Sequence, residues 1–450
     1  MQGILWTAAI HCAALVCGVA PAGPARAQLP QLPALPAPAL KALDVPAKIP
    51  ETIIDAPRSL GLVPSNPTEQ RTRAHLDRVR RHADRLDLDF NGNLVVRDEI
   101  VAYLPSSTMI EKVRAFGYVV LRESGEGSGV VVLKAPGNAS ALAELRRLRE
   151  LFPDGVFDLN HIYGRSGETG TTSMRRPAVG TPAATNGPVR KIGLIDSGVD
   201  GGTEALRKVR IHRQGCRGRV VASAHGTAVG SIMVGKAGKF RGAAPGLELY
   251  AVDVYCDQPT GGSVDAIVAA FLWLAGQRVP VINVSLVGPP NGVLEQIVRG
   301  MIERGHLIVA AVGNEGPAAP PLYPAAYAGV IAVTAVDRSL RILPEASRGS
   351  HVQFAAPGAN MAAARIAEGY TEVRGTSFAA PVVAGLLALL LDKPDPMAAR
   401  QALARLVGMA SDMGPPGKDP IYGYGLVGWS IRIDPTNVNL TDASYPLLPR

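Results

Sequence analysis

The sequence predicts two folded units, a small α+β unit followed by a larger α/β domain with a mostly parallel sheet. Between about 99 and 163, strand-like and helix-like segments follow one another in the order β-α-β-β-α-β, which is the split βαβ arrangement of ferredoxin-like folds. From 188 to 430, short apolar strands alternate with helices. Such alternation connects neighbouring strands through helical crossovers, so it predicts a parallel sheet with helices on both faces.

The small unit alternates between the period of a strand and the period of a helix. Its predicted strands are short and apolar, and a glycine-rich turn separates the middle two. Its predicted helices follow a serine, and the second places leucines on one face. The predicted strands are 100–104, 118–122, 130–134 and 156–163, and the predicted helices are 106–116 and 140–151.

The larger domain has strands that are apolar throughout, as expected where helices cover both faces of a sheet. A stretch rich in Gly, Thr, Ser and Pro, 164–187, predicts an exposed linker before it, and a C-terminal tail, 431–450, follows it. The predicted strands are 191–195, 247–254, 279–284, 307–312, 330–336 and 351–355, and the predicted helices are 226–235, 263–276, 292–304, 378–391 and 396–407.

The composition limits the functional classes. The chain has 450 residues, of which 47% are hydrophobic and 19% charged, so most of it can form packed domains. Its formal net charge is +8, but the basic residues alternate with acidic ones, as in 71–85. With 5% aromatic residues the chain lacks a platform for stacking bases. The charge therefore indicates a solvated surface, and we expect no nucleic-acid partner.

The first 27 residues have the pattern of an export signal. An apolar stretch, 4–19, is followed by Pro and Gly, and positions 25–27 read Ala-Arg-Ala before the expected cleavage. The stretch is shorter than the ~20 residues of a membrane span, so a retained anchor is the less favoured alternative. We therefore expect a secreted protein, periplasmic or extracellular, that has no membrane partner once the signal is removed.

Two cysteines, Cys216 and Cys256, remain after the signal. An exported chain meets an oxidising compartment, in which these two residues can pair. The disulfide would close a loop of about 40 residues and stabilise the fold by a few kcal/mol in the chain-entropy model. From the sequence, a disulfide and two free thiols are equal alternatives.

The segment 28–98 precedes the small unit. Residues 28–50 are rich in Pro, Ala and Leu, which predicts an extended linker, and 68–86 reads as a charged helix. Residues 87–98 partly imitate an EF-hand calcium loop, but the last position holds Asp98 where Glu is usual. We interpret it as a charged turn and predict no metal site.

Three motifs place a carboxylate, an imidazole and a hydroxyl at the ends of predicted elements. Asp196 ends an apolar strand, His225 opens a helix in His-Gly-Thr, and Ser377 enters a helix in Gly-Thr-Ser. A serine hydroxyl needs a nearby base to become a nucleophile, imidazole is the usual base, and a carboxylate orients the imidazole. Each motif alone is also compatible with a helix cap or a turn. Together they predict nucleophilic catalysis by Ser377.

A fourth motif supplies a hydrogen-bond donor for developing negative charge. Asn314 follows an apolar strand in Gly-Asn-Glu-Gly, which puts its amide at the carboxyl end of the predicted sheet. Donors placed where an oxyanion forms stabilise the transition state of acyl transfer. The backbone N–H of Ser377, at a helix N-terminus, is the second expected donor.

In these motifs the chain resembles the subtilisin-like serine proteases, the subtilases of family S8, over about 187–430. The Asp–His–Ser order is that of subtilisin, and the segments Asn-Val-Ser-Leu at 283–286 and Ala-Pro-Gly at 356–358 add to the resemblance. It implies a doubly wound α/β domain, a triad of Asp196, His225 and Ser377, an oxyanion hole of Asn314 and Ser377, and no cofactor. Ala228 stands where the family commonly has a second His.

The resemblance also assigns the residues that bind the substrate backbone. The family's strand commonly reads Ser-Leu-Gly-Gly and is Ser-Leu-Val-Gly here. We expect the valine to narrow the pocket for the residue before the scissile bond. The substrate-binding residues implied are Ser285, Leu286, Val287, Gly288 and Gly313.

The small unit resembles the subtilase prodomain. That resemblance implies an intramolecular inhibitor whose last strand occupies the active site until self-cleavage within 160–187, with the bond between Tyr163 and Gly164 as the first candidate. The expected protein is thus a secreted endopeptidase, made as a zymogen, that acts on polypeptides. Two alternatives stay open: a peptide-binding protein without turnover, and an esterase, although the Gly-x-Ser-x-Gly motif is absent around Ser377.

Overall fold

The computed structural model describes residues 67–438, apart from 105, 126, 138, 166–172 and 176–189. The predicted signal, the Pro-rich linker, most of the linker 164–187 and the end of the C-terminal tail lie outside the described residues. The described part belongs to one compact unit, Val63–Arg450. None of its helices combines the length and the apolar character that crossing a membrane requires.

Two helices of the larger domain begin at side chains that cap them. Asn291 and Asp395 accept hydrogen bonds from the first turns of their helices, as N-cap residues do. The helices are α1 Pro67–Arg81, α2 Ser107–Ala115, α3 Ala141–Leu151, α4 Ala224–Val234, α5 Val264–Gly276, α6 Gly292–Glu303, α7 Thr376–Ala388 and α8 Pro396–Met409.

The strands fall into a small N-terminal group, two linker strands and the strands of the larger domain. The N-terminal group is β1 Leu86–Leu88, β2 Leu94–Tyr103, β3 Val119–Glu123, β4 Val130–Lys134 and β5 Val156–His161; the linker strands are β6 Gly164–Arg165 and β7 Ser173–Arg175. The larger domain contains β8 Lys191–Asp196, β9 Ile211–Gly215, β10 Val221–Ser223, β11 Lys236–Ala237, β12 Phe240–Arg241, β13 Glu248–Asp253, β14 Val281–Val284, β15 Leu286–Val287, β16 Leu307–Ala311, β17 Ile331–Val336, β18 Val352–Pro357, β19 Ala359–Ala364 and β20 Tyr370–Arg374.

The small unit has the predicted β-α-β-β-α-β order. Its antiparallel sheet runs β3-β4-β2-β5, and α2 and α3 share a core with it. The strand predicted at 100–104 is longer, because β2 begins at Leu94 and forms a hairpin with β1. The sheet therefore extends into the charged segment before 99.

The larger domain is built on a parallel sheet of seven strands in the order β18-β17-β16-β14-β8-β13-β9. Helices α4, α7 and α8 pack on one face, and α5 and α6 on the other, so the doubly wound arrangement is confirmed. The edge strand β9 is absent from the prediction because its sequence, Ile-His-Arg-Gln-Gly, is polar and mostly half-buried. An edge strand needs no apolar run.

The topology positions the chemistry-bearing residues at one edge of this sheet. Asp196 is the last residue of β8, Ser285 follows β14, and Asn314 lies three residues beyond β16. Since β8, β14 and β16 are parallel neighbours, their carboxyl ends meet at the same edge, where ligand sites of α/β sheets lie.

Candidate active site

Asp196 and His225 form a hydrogen-bonded pair. His225 Nδ1 lies 2.9 Å from Asp196 Oδ1, and the carboxylate is fully buried. The backbone N–H and the hydroxyl of Ser197 donate to the same oxygen, at 2.5 and 2.8 Å. These contacts hold the carboxylate and, through it, the imidazole. Within the described part of the chain, His225 Nε2 is buried and has no hydrogen-bond partner, so this nitrogen is the one that can take a proton.

The glycine after His225 is required by a close approach of two backbones. A Cβ at Gly226 would lie 2.1 Å from the carbonyl oxygen of Ser197. The next residue of the motif, Thr227, accepts a hydrogen bond from the backbone N–H of Asp200 at 2.9 Å. The His-Gly-Thr motif therefore holds the first turn of α4 against the loop that follows β8.

Ser377 lies in the first turn of α7, and its backbone carbonyl is bound in an unusual way. Pro381, four residues later in the helix, has no N–H to donate to that carbonyl. The hydroxyl of Ser285 donates to it instead, at 3.2 Å, and the Asn283 amide donates to that hydroxyl at 2.8 Å. The strand predicted to bind substrate and the predicted nucleophile are thus connected through the hydroxyl of Ser285. The ring of Phe378 packs 5.5 Å from that of His225.

The Asn314 amide lies beside the Gly-Thr-Ser turn. Its Oδ1 accepts from the backbone N–H of Thr376 at 3.0 Å, and Gly313 N–H donates to the Thr376 hydroxyl at 3.3 Å. A Cβ at Gly375 would be 3.2 Å from Asn314 Nδ2. Because Oδ1 binds Thr376, the NH2 group is the end of the amide that can donate to a substrate oxygen. Asn314 and the N-terminal N–H groups of α7 therefore meet at one point.

The chain's own segment 162–165 lies between two edges of the candidate groove. On one side β6 pairs with β15, with Arg165 opposite Leu286 and Gly164 opposite Val287. On the other side Tyr163 N–H donates to the carbonyl of Gly262 at 2.8 Å. Leu286 and Val287, which are predicted to bind the substrate backbone, thus pair with a strand of the chain itself.

Gly288 opens the pocket that holds the side chain of Tyr163. A Cβ at Gly288 would lie 2.6 Å from the ring of Tyr163, which is fully buried. The Tyr163 hydroxyl donates to the carbonyl of Pro289 at 2.5 Å. The sequence assigned Gly288 to substrate binding, but Tyr163 as its occupant follows only from the structure.

Helix α1 contacts both rims of this groove. Arg71 makes two hydrogen bonds to the carboxylate of Glu315, at 2.9 and 3.0 Å, next to Asn314. Two turns later, Arg78 donates to the carbonyl of Pro259 at 2.7 Å, in the loop that leads to Gly262. The sequence predicted a charged helix here but no contact with the site.

The two alternatives left by the sequence for Cys216 and Cys256 are decided in favour of a disulfide, with their Cα atoms 5.1 Å apart. Within 87–98 the charged turn is confined to 89–93, between β1 and β2, and in it Asp89 Oδ1 accepts two backbone hydrogen bonds. Among the described residues, the one group of potential metal ligands that lie close together is the disulfide with Asp253.

His161 connects the small unit to the larger domain by hydrogen bonds. Its Nε2 lies 3.2 Å from Asp89 and its Nδ1 lies 3.0 Å from the Asn291 amide. Asn291 is the N-cap of α6, and Asp158 accepts from the N–H of Gly292 at 2.9 Å in the same turn. The last strand of the small unit therefore caps a helix of the larger domain, which the sequence does not reveal.

The subtilase family model of peptidase family S8 matches residues 190–425. The chain is 33% identical to subtilisin DY of Bacillus licheniformis over 245 residues, which cover 53% of this chain and 88% of that protein. It is 30% identical to the minor extracellular protease Epr of Bacillus subtilis over 274 residues, 58% of this chain and 40% of Epr.

The fold is also that of a solved relative. Fervidolysin from Fervidobacterium pennivorans, a keratinolytic enzyme related to subtilisin, superimposes with a TM-score of 0.62 and 20% identity, over 77% of this chain and 62% of that one. The chain spans less than two thirds of Epr and of fervidolysin. The family match covers more than half of the chain and the triad motifs, so the chain belongs to the subtilases, the subtilisin-like serine peptidases of family S8.

Proposed function

We propose that the protein is a secreted serine endopeptidase that hydrolyses peptide bonds in polypeptides and is made as a self-processed zymogen. One observation carries the proposal: a strand of the chain itself, β6, lies paired in the groove that leads to Ser377. Ser285, next to β15, donates a hydrogen bond to the backbone carbonyl of Ser377, which supports a connection between this edge and the predicted nucleophile.

The residues present suffice for both half-reactions. The Ser377 hydroxyl attacks the scissile carbonyl while His225 Nε2 takes its proton, and Asp196 holds the imidazolium. The oxyanion accepts from Asn314 and from the N–H of Ser377. His225 then gives the proton to the departing amine, which leaves an acyl-enzyme. A water molecule, deprotonated by the same imidazole, releases the acid and restores the serine.

The register of β6 supports a particular processing site. Arg165 lies opposite Leu286 and Gly164 opposite Val287, so the antiparallel register runs towards Ser285, the residue before Leu286. The hydroxyl of Ser285 donates a hydrogen bond to the backbone carbonyl of Ser377. We therefore favour cleavage between Ser166 and Gly167 over the bond after Tyr163. Both residues lie outside the described part of the chain.

The contacts between the small unit and the larger domain support its role as an inhibitory prodomain. Arg122 pairs with Glu99 of the small unit, at 2.6 Å, and with Asp265 of α5, at 2.7 Å. Asn160 donates to the same two carboxylates, at 2.7 and 2.9 Å. Burial alone would raise the pKa of Asp265, but the bonds from Arg122 outweigh it and the pKa is lowered. The sheet thus docks on α5 through side-chain hydrogen bonds from Arg122 and Asn160 to Asp265.

Export is supported by three independent observations. The N-terminal 27 residues have the signal pattern, and the two cysteines that remain are paired, as is usual outside the cytoplasm. The relative Epr is named as an extracellular protease.

The deciding experiment is the intact mass of the chain expressed without residues 1–27, as wild type, Ser377→Ala and Ser339→Ala. Ser339 is an exposed loop residue and serves as the matched control. We expect cleavage after Ser166 in wild type and Ser339→Ala and an intact Ser377→Ala chain. A folded wild type that stays intact and cuts no peptide amide would support the peptide-binding alternative, and turnover of activated esters alone would support the esterase.

A further inference from the structure

The side chain of Arg165 occupies a site that the proposed reaction does not use. By the register of β6, Arg165 is the second residue before the bond that we expect to be cut. Its guanidinium carbon lies 4.5 Å from the centroid of the Tyr255 ring, within the range of a cation–π contact. Arg165 therefore shows how a substrate residue at this position would be bound.

The carboxylate of Asp253 lies against the backbone of Tyr255. Asp253 Oδ1 accepts from the backbone N–H groups of Tyr255 and Cys256, both at 2.9 Å. Burial raises the pKa of Asp253, and the hydrogen bonds from the backbone of Cys256 and Tyr255, followed by the positive charge of Arg165, counteract that rise. The site therefore combines an aromatic face with a carboxylate that benefits from a nearby cation.

The wall of this site is held rigidly. Cys256, next to Tyr255, is bonded to Cys216. Cys256 and Asp257 have φ angles of 49° and 55°, a conformation that L-residues adopt only where the surroundings impose it. Tyr255 is buried, with 7% of its surface exposed. The aromatic face is thus placed before a substrate arrives, which reduces the entropy cost of binding.

We propose that Tyr255 and Asp253 select a cationic residue, arginine or lysine, at the second position before the scissile bond. The proposal rests on the proposed peptidase function and adds a substrate class to it. A partly desolvated cation–π contact next to a carboxylate corresponds to a preference of about 5- to 30-fold in kcat/KM over a neutral residue of the same shape.

The test compares two peptides on the enzyme obtained by processing of the full chain. Tyr-Gly-Arg-Ser-p-nitroanilide repeats residues 163–166, and its counterpart carries citrulline, the neutral isostere of arginine. The measured quantity is the ratio of the two kcat/KM values, which a general loss of activity does not change. We expect a ratio of about 5 to 30 for the wild type.

Two variants assign the effect to the site. Tyr255→Leu removes the ring, and Asp253→Asn keeps an acceptor for the backbone N–H groups while removing the charge. Both should bring the ratio towards 1. Tyr424→Leu is the matched control, because that tyrosine also lies under a cation, Lys418 at 5.4 Å, in the C-terminal part of the domain. Its ratio should equal that of the wild type. A wild-type ratio below 2, or a ratio that persists in both site variants, would overturn the proposal.

A second measurement does not require activity. In the full chain carrying Ser377→Ala, Arg165→Gln should lower the midpoint of denaturation and Arg165→Lys should retain it. The difference between these two should vanish when Tyr255→Leu is added. Equal midpoints for the Gln and Lys variants would refute the cation preference. If neither peptide is cut while this difference is present, the proposed function fails and the cation site stands.

Discussion

Replacing Arg71 tests whether helix α1 contributes to inhibition. The guanidinium and the Glu315 carboxylate are 22% and 18% exposed and are joined by two hydrogen bonds. Charge-assisted bonds of this kind contribute about 1–2 kcal/mol once partial exposure to solvent is allowed for. Arg71→Gln should therefore weaken binding of the released N-terminal fragment by about 5- to 30-fold.

The position of Glu315 explains why this contact should affect inhibition. Glu315 follows Asn314 directly, and Pro259, the partner of Arg78, lies on the opposite rim. Helix α1 therefore contacts both sides of the groove, and we expect a peptide that enters the groove to compete with it.

The assay measures the inhibition constant of the N-terminal fragment against the processed enzyme, with a chromogenic peptide as substrate. The control is Arg80→Gln on the same helix, because Arg80 and its partner Asp77 are 66% and 65% exposed. Exposed pairs of this kind contribute little to binding. The reasoning is refuted if Arg71→Gln inhibits within twofold of the wild-type fragment, or if Arg80→Gln loses as much.

Three further predictions concern the site and the fold. Asn314→Ala should lower kcat by about 10²–10³-fold with little change in KM, measured on a peptide amide, because the amide acts on the oxyanion rather than on the bound substrate. Replacing both Cys216 and Cys256 with Ser should lower the free energy of unfolding by about 4 kcal/mol for a separation of 40 residues, measured by urea denaturation of the inactive variant. Acidification below pH 6.5 should destabilise the inactive full chain, because burial lowers the pKa values of His75 and His306 in the folded state from 6.5. Below pH 6.5 the unfolded state therefore binds more protons than the folded state. The contribution of these two histidines to stability is thus complete above pH 6.5 and is lost as the pH falls.

Each of these has a clear contrary result. A rise in KM with unchanged kcat would place Asn314 in ground-state binding. An unfolding free energy within 1 kcal/mol of the parent would show that the disulfide adds little to stability. A pH dependence that persists after His75→Gln and His306→Gln would assign the acid sensitivity to other groups.

The sequence by itself determined six of the seven strands of the parallel sheet, the helices α4 to α8 and the residues at the ends of these elements. The three triad candidates can be found in the sequence because each motif is contiguous and lies at a change of hydrophobic period. Asp196 ends β8, His225 lies in α4 and Ser377 lies in α7. Patterns of this kind involve consecutive residues, so the sequence alone reveals them.

Only the tertiary structure decided which distant segments meet. The ring of Tyr255 lies under Arg165, Arg71 lies against Glu315, and Cys216 pairs with Cys256, although each pair is far apart in the chain. Such contacts depend on the order of strands in the sheet and on the docking of the small unit, which no single stretch of sequence encodes. The edge strand β9 went unpredicted for a related reason: a polar strand acquires its conformation from pairing with β13, not from its own hydrophobic pattern.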